Sequence, residues 1–565
     1  LNSRVDDEKP SVSRPSNLNR QIVFDGTATP VKTALFLIIC AAWILPGLTG
    51  HDPWKPDEAL AMGVVHTMLH LSSWHSWLVP QVGGVIHADY APLYYWVSAL
   101  TAKLTEGLLP AHDGARLASG LFMALTFLYL YKAANKLFDP RAGRIAVALL
   151  IGSLGLLLRA HEMSPEVAAL AGMAIATYGL TRIRFEARKG GLTAGSGAAV
   201  IALSIGLVPA LIVPLAAWAM MWLLHDQQNR AFRRGVLIAL GVVLTASALH
   251  ATALWLVVGD AAMEHLVIAV MGLPEAAAIQ PIYLASILPW YALPTLPLAA
   301  WLWRKDRAIL RERIELALPL STFLVAFLWL SLVREARDAV GMLLLIPLAL
   351  AGAYALDRLP KGVASFVDWF GLVFFGVAAV ALWLYWSAAL LGAPEGAARA
   401  VARAAPGFAL RFEWFPFLVA ATLSAVWAYA VAMAHRNNRR AFVNWAAGIT
   451  LLWMLLNLLG LPAVDHVRSY RQPVLAIAGH VNVAPSCIIG TNLGMPQRAM
   501  FDYFASLRFV PANAAPANEC AWQLVQGSKL AAPDMPTPWQ LAWEGARPAE
   551  RVEQFRLYRR AVPAR

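Results

Sequence analysis

Charge is what this chain has least of. Asp, Glu, Lys and Arg make up 14% of its 565 residues, where a soluble domain carries roughly 25%. With 59% hydrophobic residues and a mean hydropathy of +0.56, that deficit excludes an ordinary soluble enzyme. The chain also lacks a cleavable-signal pattern, because residues 1–32 are polar and rich in Ser, Asn and Pro. They read as a disordered cytosolic tail. No internal repeat is present, which argues against an inverted-repeat transporter. Cysteine occurs three times: Cys40 sits in an apolar run as a small core residue, while Cys487 and Cys520 both fall in the C-terminal region.

What is present is a succession of apolar segments of membrane-spanning length. The expected spans are 33–49, 113–135, 144–158, 164–181, 195–208, 209–224, 235–258, 286–303, 315–332, 338–356, 366–391, 413–434 and 442–461, about thirteen in all. The pair over 195–224 is interrupted by Pro209 and Pro214 and also reads as one long kinked helix. The stretch PLYYWVSALTAKL, 92–104, is too short to span, and its aromatic residues suit a helix lying on the membrane surface. With that choice the loops at 136–144, 182–191, 225–235, 304–313, 357–362 and 435–442 all fall on one side, and every one contains Lys or Arg. By the positive-inside rule that side is cytoplasmic. Much of the +12 net charge and the pI near 9.7 lies in these loops, so the basic balance does not indicate a nucleic-acid partner.

An odd number of spans puts residues 462–565 on the outer side. The runs CIIGTN, LRFVPA, CAWQLVQ, WQLAWEG and FRLYRR read as strands, with a helix over MPQRAMFDYFASL. The expected architecture is an all-α polytopic membrane protein with a small C-terminal α/β periplasmic domain. Its parts are the tail 1–32, a transmembrane domain 33–461 with a large first outer loop 50–112, and the periplasmic domain 462–565. Cys487 and Cys520 each open a strand there, which makes them a candidate disulfide.

Acids and cations gather in three outer loops. The first, beginning HDPWKPDEA, carries Asp52, Lys55, Asp57, Glu58, His66, His70, His75, His87 and Asp89, and leads to Arg116. The second, LRAHEMSPE, carries Arg159, His161, Glu162 and Glu166. The third, VREARD, carries Arg334, Glu335, Arg337 and Asp338. A carboxylate there can take a proton from an acceptor, and arginines can neutralise a departing phosphate. Wet interfacial loops are also charged for no catalytic reason. His66 and His70, four residues apart, suit a divalent metal or a plain interfacial helix, and no metal site is assigned. The run Trp369 to Phe375 is expected to face lipid.

The first loop resembles that of the bacterial aminoarabinose transferase and protein mannosyltransferase-like group of the GT-C superfamily. The shared pattern is Asp57-Glu58, then Trp77-Leu78-Val79-Pro80, then Pro92 to Trp96, then Arg116 to Ser119. LPWYALP at 288–294 and the VREARD region extend the likeness. The resemblance implies a GT-C fold, a polyprenyl-phosphate sugar donor, and Asp57 as catalytic base with Glu58 beside it. It implies Glu162 as the second-loop acid, with Glu166, His161 and Asp89 as secondary candidates. Donor contacts would come from Arg116, Arg334, Arg337, Lys55, Tyr90, Tyr94, Trp290 and Tyr291. One departure concerns the donor site: the aminoarabinose transferases carry Lys where this chain has Tyr90.

The expected function is an inner-membrane glycosyltransferase, with its N-terminus cytoplasmic and C-terminus periplasmic. It would pass a sugar, with inversion, to a periplasmic lipid, glycan or protein. The acceptor class would be a membrane lipid such as lipid A or an envelope glycan, the protein a monomer, and no cofactor is assigned beyond a divalent cation left open. The alternatives are a ligase or polymerase using a lipid-pyrophosphate donor, and a flippase. The flippase needs ionisable groups at mid-membrane, which the expected spans almost lack.

Overall fold

A computed structural model describes residues 30–561 apart from 71–73, 88, 225–229, 260–266, 268–269, 274–279, 334, 336, 434–437, 482–486, 512–519 and 531–537. Almost all of residues 1–32, and Arg334, therefore lie outside the described residues. Every expected span falls on a helix or a broken pair of helices, as befits a multi-pass membrane protein whose backbone must bond internally in lipid. Among the described residues seven helices are long and apolar enough by themselves to cross a membrane. The others are shorter or interrupted. Four helices lie in or flank the first charged loop: α1 (Pro30–Ile44), α2 (Asp57–His70), α3 (Leu93–Leu104) and α4 (Ala111–Leu137).

Two helices beside them, α5 (Pro165–Ile183) and α6 (Ala187–Ile205), pack backbone to backbone. A Cβ on Gly179 would sit 2.2 Å from the Ala194 nitrogen, and one on Gly197 2.4 Å from that of Ala176. Close approach through small residues is how helices associate where no hydrophobic force separates them from lipid. The break expected near Pro209 and Pro214 falls at Leu211, between them, and the run also breaks earlier, at Gly206, whose φ of +102° ends α6. A side chain there would strike Gly272 at 2.3 Å, so glycine is required on two counts. The expected span 286–303 is likewise two helices, Tyr283–Tyr291 and Thr295–Lys305.

Helix α3 differs from the surface helix expected of it. Its length matches, but Tyr94 and Tyr95 are buried, and Tyr94 Oη lies 2.7 Å from Ser119 Oγ of α4. The tyrosines are core, not interfacial anchors, because α3 lies against α4. Tyr94 is accordingly removed from the donor-contact set. The run Trp369 to Phe375 is mostly exposed, as a lipid-facing stretch should be, with Gly371 and Phe375 turned inward against Trp445.

Late in the chain α7 (Asn438–Leu455) continues through a π-helical turn, Leu456–Gly460, into α8 (Leu461–Arg468). Beyond it a small domain forms. A short hairpin of β1 (Gln81–Val82) and β2 (Val85–Ile86) belongs to the first loop. The C-terminal sheet contains β3 (Ile488–Thr491), β4 (Phe509–Pro511), β5 (Trp522–Ser528), β6 (Trp539–Gly545) and β7 (Glu553–Arg560), in the order β4-β3-β5-β7-β6. β3 runs parallel to β4 and β5, and β7 antiparallel to β5 and β6. Helix α9 (Met495–Ala505) joins β3 to β4 and seats on α2, where a Cβ on Gly63 would lie 2.5 Å from that of Ala499. Cys487 and Cys520 are bonded, with Cα atoms 5.1 Å apart.

That bond closes a segment of 33 residues between two parallel strands. Replacing both cysteines by serine is expected to cost the domain about 2–4 kcal/mol. Limited proteolysis of the purified protein with and without reductant would show cleavage within 482–530 in the variant and in the reduced wild type.

Candidate active site

Asp57 and Glu58 open α2, where two carboxylates are favoured by the helix N-terminus. A helical turn sends neighbouring side chains roughly 100° apart, and the two acids go to different places. Glu58 points inward and is 1% exposed. It accepts from Arg116 Nε at 2.8 Å and from the Trp54 and Met163 amides at 3.2 and 3.3 Å. Burial alone would raise its pKa, but Arg116 and His51 outweigh burial and hold it below the ordinary value. It is a fixed anion, a positioning group rather than a proton acceptor.

Arg116 is fully buried, and its donors are spent on Glu58, Asp113 Oδ1 at 2.9 Å, Leu48 O at 3.3 Å and His51 O at 3.2 Å. The expectation that it meets a donor phosphate is therefore corrected. A fully buried guanidinium with these partners has no access to a ligand. Lys55 is corrected likewise: its Nζ is held 3.3 Å from Glu553 of β7, tying the first loop to the C-terminal domain. Asp52 makes a second such tie, to Arg471 and Ser469.

Asp57 points the other way, into a network of opposite charges. Its two oxygens pair with Arg337 and, at 3.4 Å, with Arg159 Nη1. Arg159 also holds Glu162 at 2.6 Å and Asp338 at 3.0 Å. Arg337 donates through Nη1 to Tyr90 Oη at 2.6 Å, and that hydroxyl donates to Glu166 Oε1 at 2.7 Å. All three outer loops thus meet around one carboxylate that is 19% exposed. Glu162 and Glu166 both join the network, Glu162 through Arg159 and Glu166 through the Tyr90 hydroxyl.

Burial raises the Asp57 carboxyl above its ordinary value, with Arg337 pulling against it. Burial also pushes Glu162 up to about 7; Arg159 opposes this, and the charges of Glu58 and Asp57 add to it. His161 is buried between Trp43 and Trp453, with ring centroids 4.6 and 4.4 Å away. Its nitrogens face two backbone carbonyls, so it braces α1 and makes no bond to the Asp57 network. Asp89 is largely exposed and lies 3.7 Å from His87, outside the network. Tyr291 is buried against Gly155, where a Cβ would lie 2.2 Å from its ring, while Trp290 is half exposed. Neither reaches the network through a hydrogen bond. Among the described residues no three His, Cys, Asp or Glu side chains gather as a metal-binding group.

Arg159 and Asp338 were visible in the sequence only as loop charges. Nothing in the spacing says that Arg159 bridges two loops, since its partners lie 102 and 179 residues away.

The helical bundle, the outer charged loops and the appended sheet define a polytopic membrane protein of GT-C fold. Residues 89–255 match the family model described as dolichyl-phosphate-mannose-protein mannosyltransferase. Over 481 residues the chain is 28% identical to the undecaprenyl phosphate-alpha-4-amino-4-deoxy-L-arabinose arabinosyl transferase of Pseudomonas aeruginosa (strain UCBPP-PA14), covering 80% of this chain and 79% of that one. A transferase of the same description from Pseudomonas savastanoi pv. phaseolicola is 36% identical over 124 residues, 22% of this chain and 21% of that one. The crystal structure of ArnT from Cupriavidus metallidurans bound to undecaprenyl phosphate superposes with a TM-score of 0.66 at 17% identity, covering 94% of this chain and 98% of that one. The chain thus has the fold of that structure and is similar, over most of its length, to transferases of that description.

Two outcomes test the site. Arg116→Met leaves Glu58 buried without its counter-ion and is expected to cost about 3–5 kcal/mol, read as a lower thermal midpoint in detergent. Glu162, with its pKa raised from 4.5 to about 7, makes the native state bind more protons than the unfolded chain across that window. Its contribution to stability is full below 4.5 and falls as pH rises towards 7. The thermal midpoint of wild type relative to Glu162→Gln should decline over that range; a constant difference would refute the assignment.

Proposed function

We propose that this protein is a membrane glycosyltransferase that moves a sugar from a polyprenyl-phosphate donor to an acceptor by inverting displacement. The observation that carries this reading is Asp57, one partly open carboxylate held between Arg159 and Arg337. The similarity to transferases named for undecaprenyl phosphate-linked aminoarabinose supplies the donor class. The reaction side is read as periplasmic, in an inner membrane with the N-terminus inside, which agrees with the basic loops on the opposite face.

The chemistry follows from the charges. A phosphate entering beside Arg337 competes with Asp57 for the same guanidinium. As Arg337 turns to the phosphate, Asp57 loses a counter-charge and its pKa, already raised by burial, rises further. It then accepts the acceptor's proton. The acceptor oxygen bonds to the anomeric carbon from the face opposite the phosphate, the carbon–oxygen bond to phosphate breaks, and its electron pair leaves with the phosphate. Arg159 and Arg337 neutralise that charge. Tyr90 holds Arg337 by Nη1 while Nη2 exchanges partners, and Glu166 orients the Tyr90 hydroxyl. Where the aminoarabinose transferases have a lysine, this chain has Tyr90, which holds Arg337. A different sugar from aminoarabinose is compatible with that change.

Asp57→Asn should lower kcat by about 10²–10⁴-fold and leave undecaprenyl phosphate binding intact. A folded variant with full transferase activity refutes the assignment. Tyr90→Phe removes a hydrogen bond to a charged group, so the donor KM should rise about tenfold with a smaller change in kcat. Initial rates at varied donor concentration separate the two.

A further inference from the structure

The helices Lys361–Leu391 and Trp414–Met433 are joined on the outer side by residues 392–413, which the Asp57 network leaves unused. This segment carries Arg399, Arg403 and Arg411 against Glu395 and Glu413, on the face where the positive-inside rule disfavours Lys and Arg. Arg159 and Arg337 of the other outer loops are committed to carboxylates. These three arginines are exposed and make no ion pair among the described residues. The segment borders a cavity of about 250 Å³. Trp386 and Phe417 stack beside it with ring centroids 5.8 Å apart, and Phe408, Leu458 of the π-helical turn and Pro462 of α8 add further carbon. The Phe408 amide donates to Ala405 O at 3.2 Å, and the His466 ring of α8 meets Pro406 O at 3.0 Å, so the border is pinned. The two charged side chains in the lining are Arg411 and Glu413. Although only two residues apart, they bond neither each other nor any other described side chain.

A guanidinium and a carboxylate that line one cavity without neutralising each other suit a ligand that carries both signs. A phosphate diester would accept from Arg411, and a primary ammonium would donate to Glu413. The rings of Trp386 and Phe417 favour a cation beside them. The setting supplies the rest of the ligand. Phe412, Trp414, Phe415 and Leu418 lie exposed around the start of the helix Trp414–Met433, as does Leu391 at the end of its neighbour. Such an aromatic and apolar belt belongs against acyl chains at the membrane surface. A soluble zwitterion would leave that belt uncovered, whereas a phospholipid occupies both the cavity and the belt. No residue lining the cavity bonds Asp57, Arg159 or Arg337.

We propose that residues 392–413 form a binding site for an outer-leaflet phospholipid with a phosphoethanolamine headgroup, its phosphate on Arg411 and its ammonium on Glu413. The site stands apart from the Asp57 network and does not depend on the transferase reading. Phosphatidylethanolamine, phosphatidylcholine and phosphatidylglycerol with identical dioleoyl chains serve as probes, added to the delipidated full chain in detergent. Retained lipid is counted by native mass spectrometry, and the thermal midpoint is followed in parallel. The choline ammonium has no hydrogen to donate and the glycerol headgroup has no cation. Phosphatidylethanolamine is therefore expected to bind at least tenfold more tightly than either and to raise the midpoint most. Arg411→Gln should lower its affinity about tenfold and weaken phosphatidylglycerol as well. Glu413→Gln should lower it about tenfold and spare phosphatidylglycerol. Ala409→Trp, which fills the space from an exposed position, should abolish retention, with the two charge variants deciding should it not fold. Equal retention of the three lipids, undiminished phosphatidylethanolamine binding in either folded charge variant, or equally tight binding of free phosphoethanolamine overturns the proposal. Displacement of the lipid by undecaprenyl phosphate also overturns it, because the cavity would then belong to the donor.

Discussion

Arg116 is the fixed point of the outer face. It leaves α4 fully buried and must find acceptors for its guanidinium within the protein, because an unpaired buried cation is costly. Glu58, Asp113 and two loop carbonyls supply them. Those bonds pin residues 48–58 against α4 and set the rotation of α2. With Glu58 locked inward, Asp57 has to face the opposite side, where the second and third loops bring Arg159 and Arg337. The base is aimed by the acid beside it.

The C-terminal domain completes the same clamp from above. Arg471 and Ser469 hold Asp52, Asp465 holds the Trp54 indole and the Asp52 amide, and Glu553 holds Lys55. Glu553 is itself buried among Tyr470, Gln497 and Gln526. The stretch 51–58 is thus gripped by a membrane helix on one side and by the helix-and-sheet unit on the other. A loop between two such grips can hold one arrangement of charge, two arginines and four acids around one centre.

Apolar runs, basic loops and strand-like alternation carried most of the architecture. Each depends on local composition and on the energy of putting a charge or an unbonded amide in lipid, so it is readable along the chain. The same local logic found the break at Pro209 and Pro214 but missed the one at Gly206, which the close approach of Gly272 accompanies. It also put Tyr94 at a lipid interface, because amphipathic composition does not say which face a neighbouring helix covers.

The sequence by itself determined the membrane class, the gathering of acids and cations in three loops and the candidacy of Asp57, Glu58, Glu162, Glu166 and Arg337. These rest on residue type and on position relative to the spans. Tertiary structure decided the roles. It made Arg116 and Lys55 clamps, brought Arg159 and Asp338 to the base, and used Tyr90 to hold an arginine. Ion pairs between loops up to 280 residues apart depend on where the helices end in space, and no local pattern encodes that distance.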